Sequence, residues 1–150
     1  MNAGVAAERT TVFPHSAASS AARSATAIAI APSDGCPPAA LAEAAGLFQA
    51  ANLDVFAVGD VPGLIVTRTV AMLANLAADA LACRVASAAD IDLAMRLGVN
   101  YPAGPLEWAR RWGVRAVLTI LDNLEDWYRD GHYRASPLLR RAALSGGDLS

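Results

Sequence analysis

Apolar positions along the chain alternate between short runs and helical spacing up to Asp60 and keep helical spacing beyond it. Ahead of that point, Thr26-Ala-Ile-Ala-Ile-Ala31 is a short apolar run, stopped by the turn-forming cluster Pro32-Ser-Asp-Gly-Cys-Pro-Pro38. Residues Ala39 to Ala51 are dense in Ala, Leu and Glu, with Leu41, Ala44, Ala45 and Phe48 at helical spacing and Asn52 as the stop. A second apolar run, Asp54-Val-Phe-Ala-Val58, ends at Gly59-Asp60. Strand, helix and strand over about thirty residues is the size of a βαβ crossover unit, whose strand edges need a sheet to join. The stretch Met1 to Ala25 keeps neither period, is rich in Ala and Ser, and predicts a disordered leader.

Beyond Asp60 the period is helical throughout. Pro62 sets the first turn of a long helix from about Gly63 to Cys83, on which Arg68, Asn75 and Asp79 share one narrow stripe that reads as the wet face. Ser87 followed by Asp90 is a capping-box-like start for a helix that turns Ile91, Ala94 and Met95 inward and ends at Gly98. Asn100-Tyr-Pro-Ala-Gly-Pro105 predicts a rigid turn, with two prolines fixing φ and Gly104 admitting φ values closed to other residues. Helices follow from Pro105 to Trp112 and, after Gly113, from Val114 to Arg129, where Val117, Leu118, Leu121 and Leu124 share a face. The last runs from the Ser136 cap and Pro137 to Ala143. The expected organisation is a leader over 1–25, a strand-helix-strand unit over 26–60, a helical domain over 61–144 and a flexible tail over 145–150. The fold class is mainly α.

At 150 residues and 15.5 kDa, with 55% hydrophobic and 17% charged residues, the chain can bury a real core and is far from a disordered composition. Twelve cations against 14 acidic residues, a net charge of −2 and a pI near 5.6 carry no electrostatic footprint for nucleic acid, so none is expected as a partner. All the cations are Arg; without Lys there is no Schiff-base chemistry and no lysine phosphate clamp. Cys36 and Cys83 stand far apart with no CxxC and no close histidine, which leaves no metal or redox-motif spacing and predicts buried or idle thiols. The N-terminus has no charged region followed by an apolar core, and the apolar run Leu64 to Cys83 carries Arg68, Asn75 and Asp79. The reading is therefore cytoplasmic, with no membrane span.

No GxGxxG follows either strand, and no P-loop, GxSxG, HExxH or EF-hand pattern occurs. The histidines are His15, in the leader, and His132, a loop residue among Arg129, Asp130 and Arg134 that reads as solvated. Arg129, Arg134, Arg140 and Arg141 form a basic cluster beside Trp127, Tyr128 and Tyr133. Such a cluster can hold phosphate, and is more often a solvated helix end balanced by Asp122, Glu125 and Asp126.

Three linked segments carry a family resemblance. Asp60-Val-Pro-Gly-Leu-Ile-Val-Thr-Arg68, then Ala86-Ser-Ala-Ala-Asp-Ile-Asp-Leu-Ala-Met-Arg-Leu-Gly98, then Tyr101-Pro-Ala-Gly-Pro-Leu106 resemble the C-terminal helical domain of the 3-hydroxyacyl-CoA dehydrogenase family. With Asn-Tyr-Pro in the turn and Ser-Pro-Leu-Leu-Arg-Arg towards the end, the chain is similar to the second C-terminal domain of long 3-hydroxybutyryl-CoA dehydrogenases of the phenylacetate-degradation type. The resemblance spans Thr26 to Ala143 and implies that the strand-helix-strand unit is a remnant of a dinucleotide-binding domain.

That resemblance implies NAD-dependent oxidation of 3-hydroxyacyl-CoA to 3-oxoacyl-CoA as the family activity, one step of fatty acid or phenylacetate metabolism. It also implies that the glycine turn for NAD and the catalytic His–Glu pair lie in a domain that no segment here represents, so no cofactor or metal is expected on this chain alone. The family position for an Asn before the Arg is Thr67, whose hydroxyl cannot supply an amide's paired donors and acceptor, so no residue is assigned as catalytic. Arg68, Asn100, Tyr101, Pro102, Gly104 and Pro105 are the implied substrate-side residues. The expectation is an incomplete module for dimerisation and closure over acyl-CoA. The alternatives are a purely structural helical dimerisation module without a ligand, or the partner subunit of a separate NAD-binding chain.

Overall fold

The computed structural model describes residues 5–10 and 27–149, which fall in two compact units divided between Val66 and Thr67. In the first unit, the apolar run forms β2 (Ala27–Pro32), preceded in the chain by β1 (Val5–Thr10) and followed by α1 (Pro38–Ala50) and β3 (Asp54–Ala57). Strand β2 is the middle of a three-stranded sheet, antiparallel to β1 from Val5 opposite Pro32 to Thr10 opposite Ala27. It is parallel to β3 from Ala27 opposite Asp54 to Ile30 opposite Ala57. Ala27 to Ala31 are all buried, which is why this strand reads as a continuous apolar run and not as an alternation. Helix α1 stops where Asn52 adopts φ 61°, a left-handed conformation that Asn tolerates better than most residues.

One expectation is corrected here. Val5–Thr10, placed in a disordered leader by its composition, is a strand. Six residues are too few to show a period, and the pairing is dictated by the unpaired edge of β2. The remainder of that leader lies outside the described residues.

The second unit is helical: α2 (Val66–Ala82), α3 (Ala88–Gly98), α4 (Pro105–Trp112), α5 (Val114–Tyr128) and α6 (Pro137–Ser145). Helix α2 starts three residues later than expected because Gly63 and Leu64 take φ values of 72° and 40°, which no helix continues. Ala71, Ala74, Ala77 and Ala78 of α2 join Leu106 and Ala109 of α4, Val117, Leu118 and Leu121 of α5, and Leu139, Ala142 and Ala143 of α6 in one core. Small residues on α2 let its neighbours approach closely, so the large leucines come from the shorter helices. Ser87 caps α3 as expected, accepting from the Asp90 backbone N–H at 3.2 Å.

Four further expectations change. Asn75, assigned to a wet stripe, is buried, while Ile65, Thr69 and Leu76 take the exposed side of this segment. On α3 it is Asp92 that is buried, whereas Ala94 is exposed. Of the expected buried or idle thiols, burial does not hold: Cys36 is half-buried and Cys83 exposed. The flexible tail does not begin at 145: Gly146 turns left-handed at φ 68°, the Gly147 N–H donates to the Ala142 carbonyl, and Leu149 is returned into the core. Among the described residues no helix is long and apolar enough to cross a membrane.

Candidate functional site

The candidate residues lie on two elements of the helical unit, the first turn of α2 and the α3–α4 turn. Thr67 and Arg68 are half-buried on α2. Arg68 donates from Nη1 to the Tyr128 phenol oxygen at 3.3 Å, which ties α2 to the end of α5. Tyr128 in turn stacks at 5.3 Å on Tyr133, whose ring meets the exposed His132 edge-on at 5.2 Å.

The α3–α4 turn is built differently from the sequence expectation. Helix α3 ends at Gly98 as expected, but the left-handed residue that follows is Asn100, at φ 57°. Asn100 and Pro102 are exposed, and Tyr101 folds back onto Trp108 of α4 with ring centroids 5.4 Å apart. Gly104 has an ordinary extended backbone, φ −75° and ψ 157°, so its glycine serves no unusual φ. The reason is space: a Cβ there would stand 2.2 Å from Cβ, Cγ and Oδ1 of Asp92.

Asp92 fills that space because α4 begins without a cap of its own. The first turn of a helix leaves backbone N–H groups unpaired, and an Ncap glycine has no side-chain oxygen to accept from them. The Leu106 N–H donates to Asp92 Oδ1 at 2.8 Å and the Glu107 N–H donates to Oδ2 at 3.1 Å. Pro105 contributes no N–H, and Glu107 accepts from the Gly104 N–H at 3.4 Å. Arg110, one turn on, donates to Asp92 Oδ2 at 3.0 Å and balances the buried charge.

The α5–α6 loop is held by Asn75 and Glu125. Asn75 accepts from the Ser136 N–H at 2.7 Å and donates to the Arg134 carbonyl at 3.0 Å. Glu125 accepts from the Gly131 and Tyr133 N–H groups, each at 3.0 Å. The basic cluster is partly consumed: Arg140 makes a two-pronged pair with Asp122, and Arg129 donates to the Asp126 carbonyl.

Sequence reasoning singled out the turn and Arg68, and missed Asp92, Asn75 and Arg110. The signal for Asp92 lay at the other end of its bonds: Gly104-Pro105 opens a helix with no side chain able to cap it. The β2–α1 connection fits a dinucleotide pyrophosphate poorly. Pro37 at the α1 cap and Pro38 after it remove N–H donors that a phosphate-binding helix start supplies. Among the described residues no group of three or more His, Cys, Asp or Glu side chains is gathered as metal ligands would be.

Comparison with known proteins places both units. A family model described as 3-hydroxyacyl-CoA dehydrogenase, C-terminal domain, matches residues 63–147, and one described as 3-hydroxybutyryl-CoA dehydrogenase reduced Rossmann-fold domain matches residues 17–62. The 3-hydroxyadipyl-CoA dehydrogenase of Escherichia coli is 46% identical over 108 residues, 72% of this chain and 23% of the relative. A 3-hydroxybutyryl-CoA dehydrogenase of Clostridioides difficile is 39% identical over 84 residues, 56% of this chain and 30% of that protein. Among solved structures, a 3-hydroxybutyryl-CoA dehydrogenase from E. coli K12 superposes with a TM-score of 0.74 at 43% identity, covering 83% of this chain and 27% of that one. The (S)-3-hydroxybutyryl-CoA dehydrogenase of Ralstonia eutropha gives 0.77 at 26% identity, over 81% and 43%. The chain thus spans about a quarter of the length of the first curated relatives.

Proposed function

We propose, since the chain belongs to the 3-hydroxyacyl-CoA dehydrogenase family, that its helical unit is the acyl-CoA-side and self-association part of such an enzyme. A separate NAD-binding domain then carries the redox step. The substrates are short 3-hydroxyacyl-CoA thioesters of the kind named for the relatives, 3-hydroxybutyryl- and 3-hydroxyadipyl-CoA. A role in phenylacetate or fatty acid breakdown follows from that substrate class.

The observation that carries this reading is the fixed α3–α4 turn within the matched segment. It presents Asn100 and Pro102 to solvent, with Tyr101 half-buried beside them, while its ends are held from behind by Asp92 and Trp108. A preorganised turn does not have to be ordered when a ligand arrives, so less of the binding free energy is lost. On this reading Asn100, Tyr101 and Pro102 shape one wall of the acyl-CoA cleft, Gly104 and Pro105 are buried behind them and hold it, and Arg68 and Thr67 sit on the helix that opens the domain. The Thr67 hydroxyl can donate one hydrogen bond but cannot act as an amide does. Hydride transfer needs a nicotinamide and a base near the hydroxyl, and both belong to the NAD-binding domain.

Calorimetry with acetoacetyl-CoA tests the ligand. Heat of binding and a raised thermal midpoint are expected; neither at millimolar ligand, an order-of-magnitude ceiling for useful affinity, leaves no acyl-CoA role. One observation favours a second reading, a helical association module without a ligand: Leu93, Leu97 and Val99 are all exposed on or just after α3. Sedimentation separates the self-association claim from the ligand claim. A dimer is expected, and a clean monomer at roughly tens of micromolar excludes stable self-association.

A further inference from the structure

We infer that Asp92 is the positioning residue of the α3–α4 turn: from one helix it supplies the cap that the next helix lacks, and so sets the conformation of Asn100 to Pro105. A helix start needs only a Ser, Thr, Asp or Asn at its own Ncap position, which is a local and exposed solution. Here that position is Gly104, and the acceptor comes from twelve residues earlier in the chain, on a carboxylate side chain that is 11% exposed. Burying a carboxylate carries a desolvation cost that a surface cap avoids. The arrangement therefore does more than finish α4.

Three features show what it does. Both carboxylate oxygens are used on consecutive N–H groups, Leu106 and Glu107, so the start of α4 can neither rotate nor slide against α3 without losing a bond. The missing Cβ at Gly104 lets the α4 backbone lie against the Asp92 side chain itself. Arg110 closes the arrangement from the same helix, with its second nitrogen reaching the Leu149 carbonyl at 3.5 Å. The intervening turn is thus held by Gly104 against Asp92 in the middle of α3 and by Tyr101 against Trp108, and its exposed residues inherit that geometry. The link to ligand binding rests on the function proposed above; the link to turn geometry does not.

The test compares the full chain with Asp92→Asn and with Asn75→Ala, a variant that removes a buried polar tie elsewhere in the same unit. Amide hydrogen exchange is read by NMR, and acetoacetyl-CoA binding by calorimetry. Asn at 92 keeps the shape but presents one acceptor and an unwanted donor. Exchange at Leu106 and Glu107 should rise about tenfold over neighbouring α4 and α5 amides, and binding should weaken about tenfold, the worth of one charge-assisted hydrogen bond. Asn75→Ala should lower the thermal midpoint while leaving both readouts as in the parent. The inference is overturned if Asp92→Asn leaves the two amides unchanged, or if Asn75→Ala moves them equally, since general destabilisation would then account for everything. If the parent chain does not bind acetoacetyl-CoA, the acyl-CoA reading fails alone, and the exchange comparison still decides the role of Asp92.

Discussion

The helical unit contains two connections held by side chains from other parts of the unit; each has a carboxylate that accepts twice from the backbone, Asp92 and Glu125, and they differ where the connection meets the helix that follows. The α3–α4 turn is fixed by a carboxylate, Asp92, that accepts twice from backbone N–H groups. The α5–α6 loop is fixed at its far end by an amide, Asn75, that accepts from Ser136 and donates to Arg134. The difference follows from what each backbone leaves unpaired. A helix start offers only donors, and an ionised carboxylate is all acceptor. An extended segment entering a helix offers a carbonyl as well as an N–H, and only an amide answers both with one planar group. The charged tie also needs a counter-ion, which Arg110 provides, whereas the neutral tie needs none.

The most severe way to break this comparison is Asp92→Ala. It removes both acceptors from the start of α4 and one of the two partners of Arg110, whose side chain is 37% exposed and keeps the Leu149 carbonyl, so a loss of about 3 kcal/mol is expected in urea unfolding. A loss near that of a surface cap, about 1 kcal/mol, would mean that water replaces the carboxylate and that the tie is not structural. Gly104→Ala approaches the same contact from the other side. The new methyl group would meet the carbon stem of Asp92, not a flexible end, and about 2–3 kcal/mol should be lost through overpacking. The two substitutions should be strongly non-additive, because each destroys the contact that the other also destroys. Additive costs in the double variant would separate the glycine from the carboxylate.

For the neutral tie, Asn75→Ala leaves the Ser136 N–H and the Arg134 carbonyl without that partner beside a core of alanines. About 2 kcal/mol should be lost, less than for Asp92→Ala because the lost bonds are between neutral groups. Equal or larger destabilisation at Asn75 would reverse the ranking of charged over neutral ties.

Local signals made much of this fold legible. Ser87, Pro105, Gly113 and Pro137 mark helix boundaries through their own backbone chemistry, and the α3, α4 and α6 starts fall where those residues place them. What was not legible depends on partners distant in sequence. A stripe of Arg68, Asn75 and Asp79 has the same spacing whether it meets water or a loop, and only the backbone at Arg134 and Ser136 makes Asn75 a buried residue. Asp92 lies between Ile91 and Leu93 in a helix whose apolar residues suggest a different inward face, and Leu93 is in fact exposed. Gly104 was recognised as constrained but for the wrong reason, because sequence cannot distinguish a glycine chosen for φ from one chosen for room. The candidate turn was thus identified by its residues, while the groups that hold it came only from the packing.

The smallest expected effect lies at the surface of the same unit and sharpens the contrast between buried and exposed charge. Arg140 pairs with Asp122 through both terminal nitrogens, yet their side chains are 46% and 42% exposed. The hydrogen bond to Asp122 raises the Arg140 pKa from its ordinary value, so the guanidinium stays charged across the working range and pH cannot be used to switch it off. Salt can. Arg140→Ala should cost about 0.5 kcal/mol at low ionic strength, with the difference shrinking towards zero near 1 M salt as the Debye length falls to about 3 Å. The Asp92–Arg110 pair, with its carboxylate side chain only 11% exposed, should keep most of its contribution under the same conditions. Urea midpoints of Arg140→Ala and Asp92→Ala at low and high salt measure both at once. If the two losses shrink in parallel, water and ions reach Asp92 as freely as they reach Asp122, and the α3–α4 turn is held no more firmly than the surface.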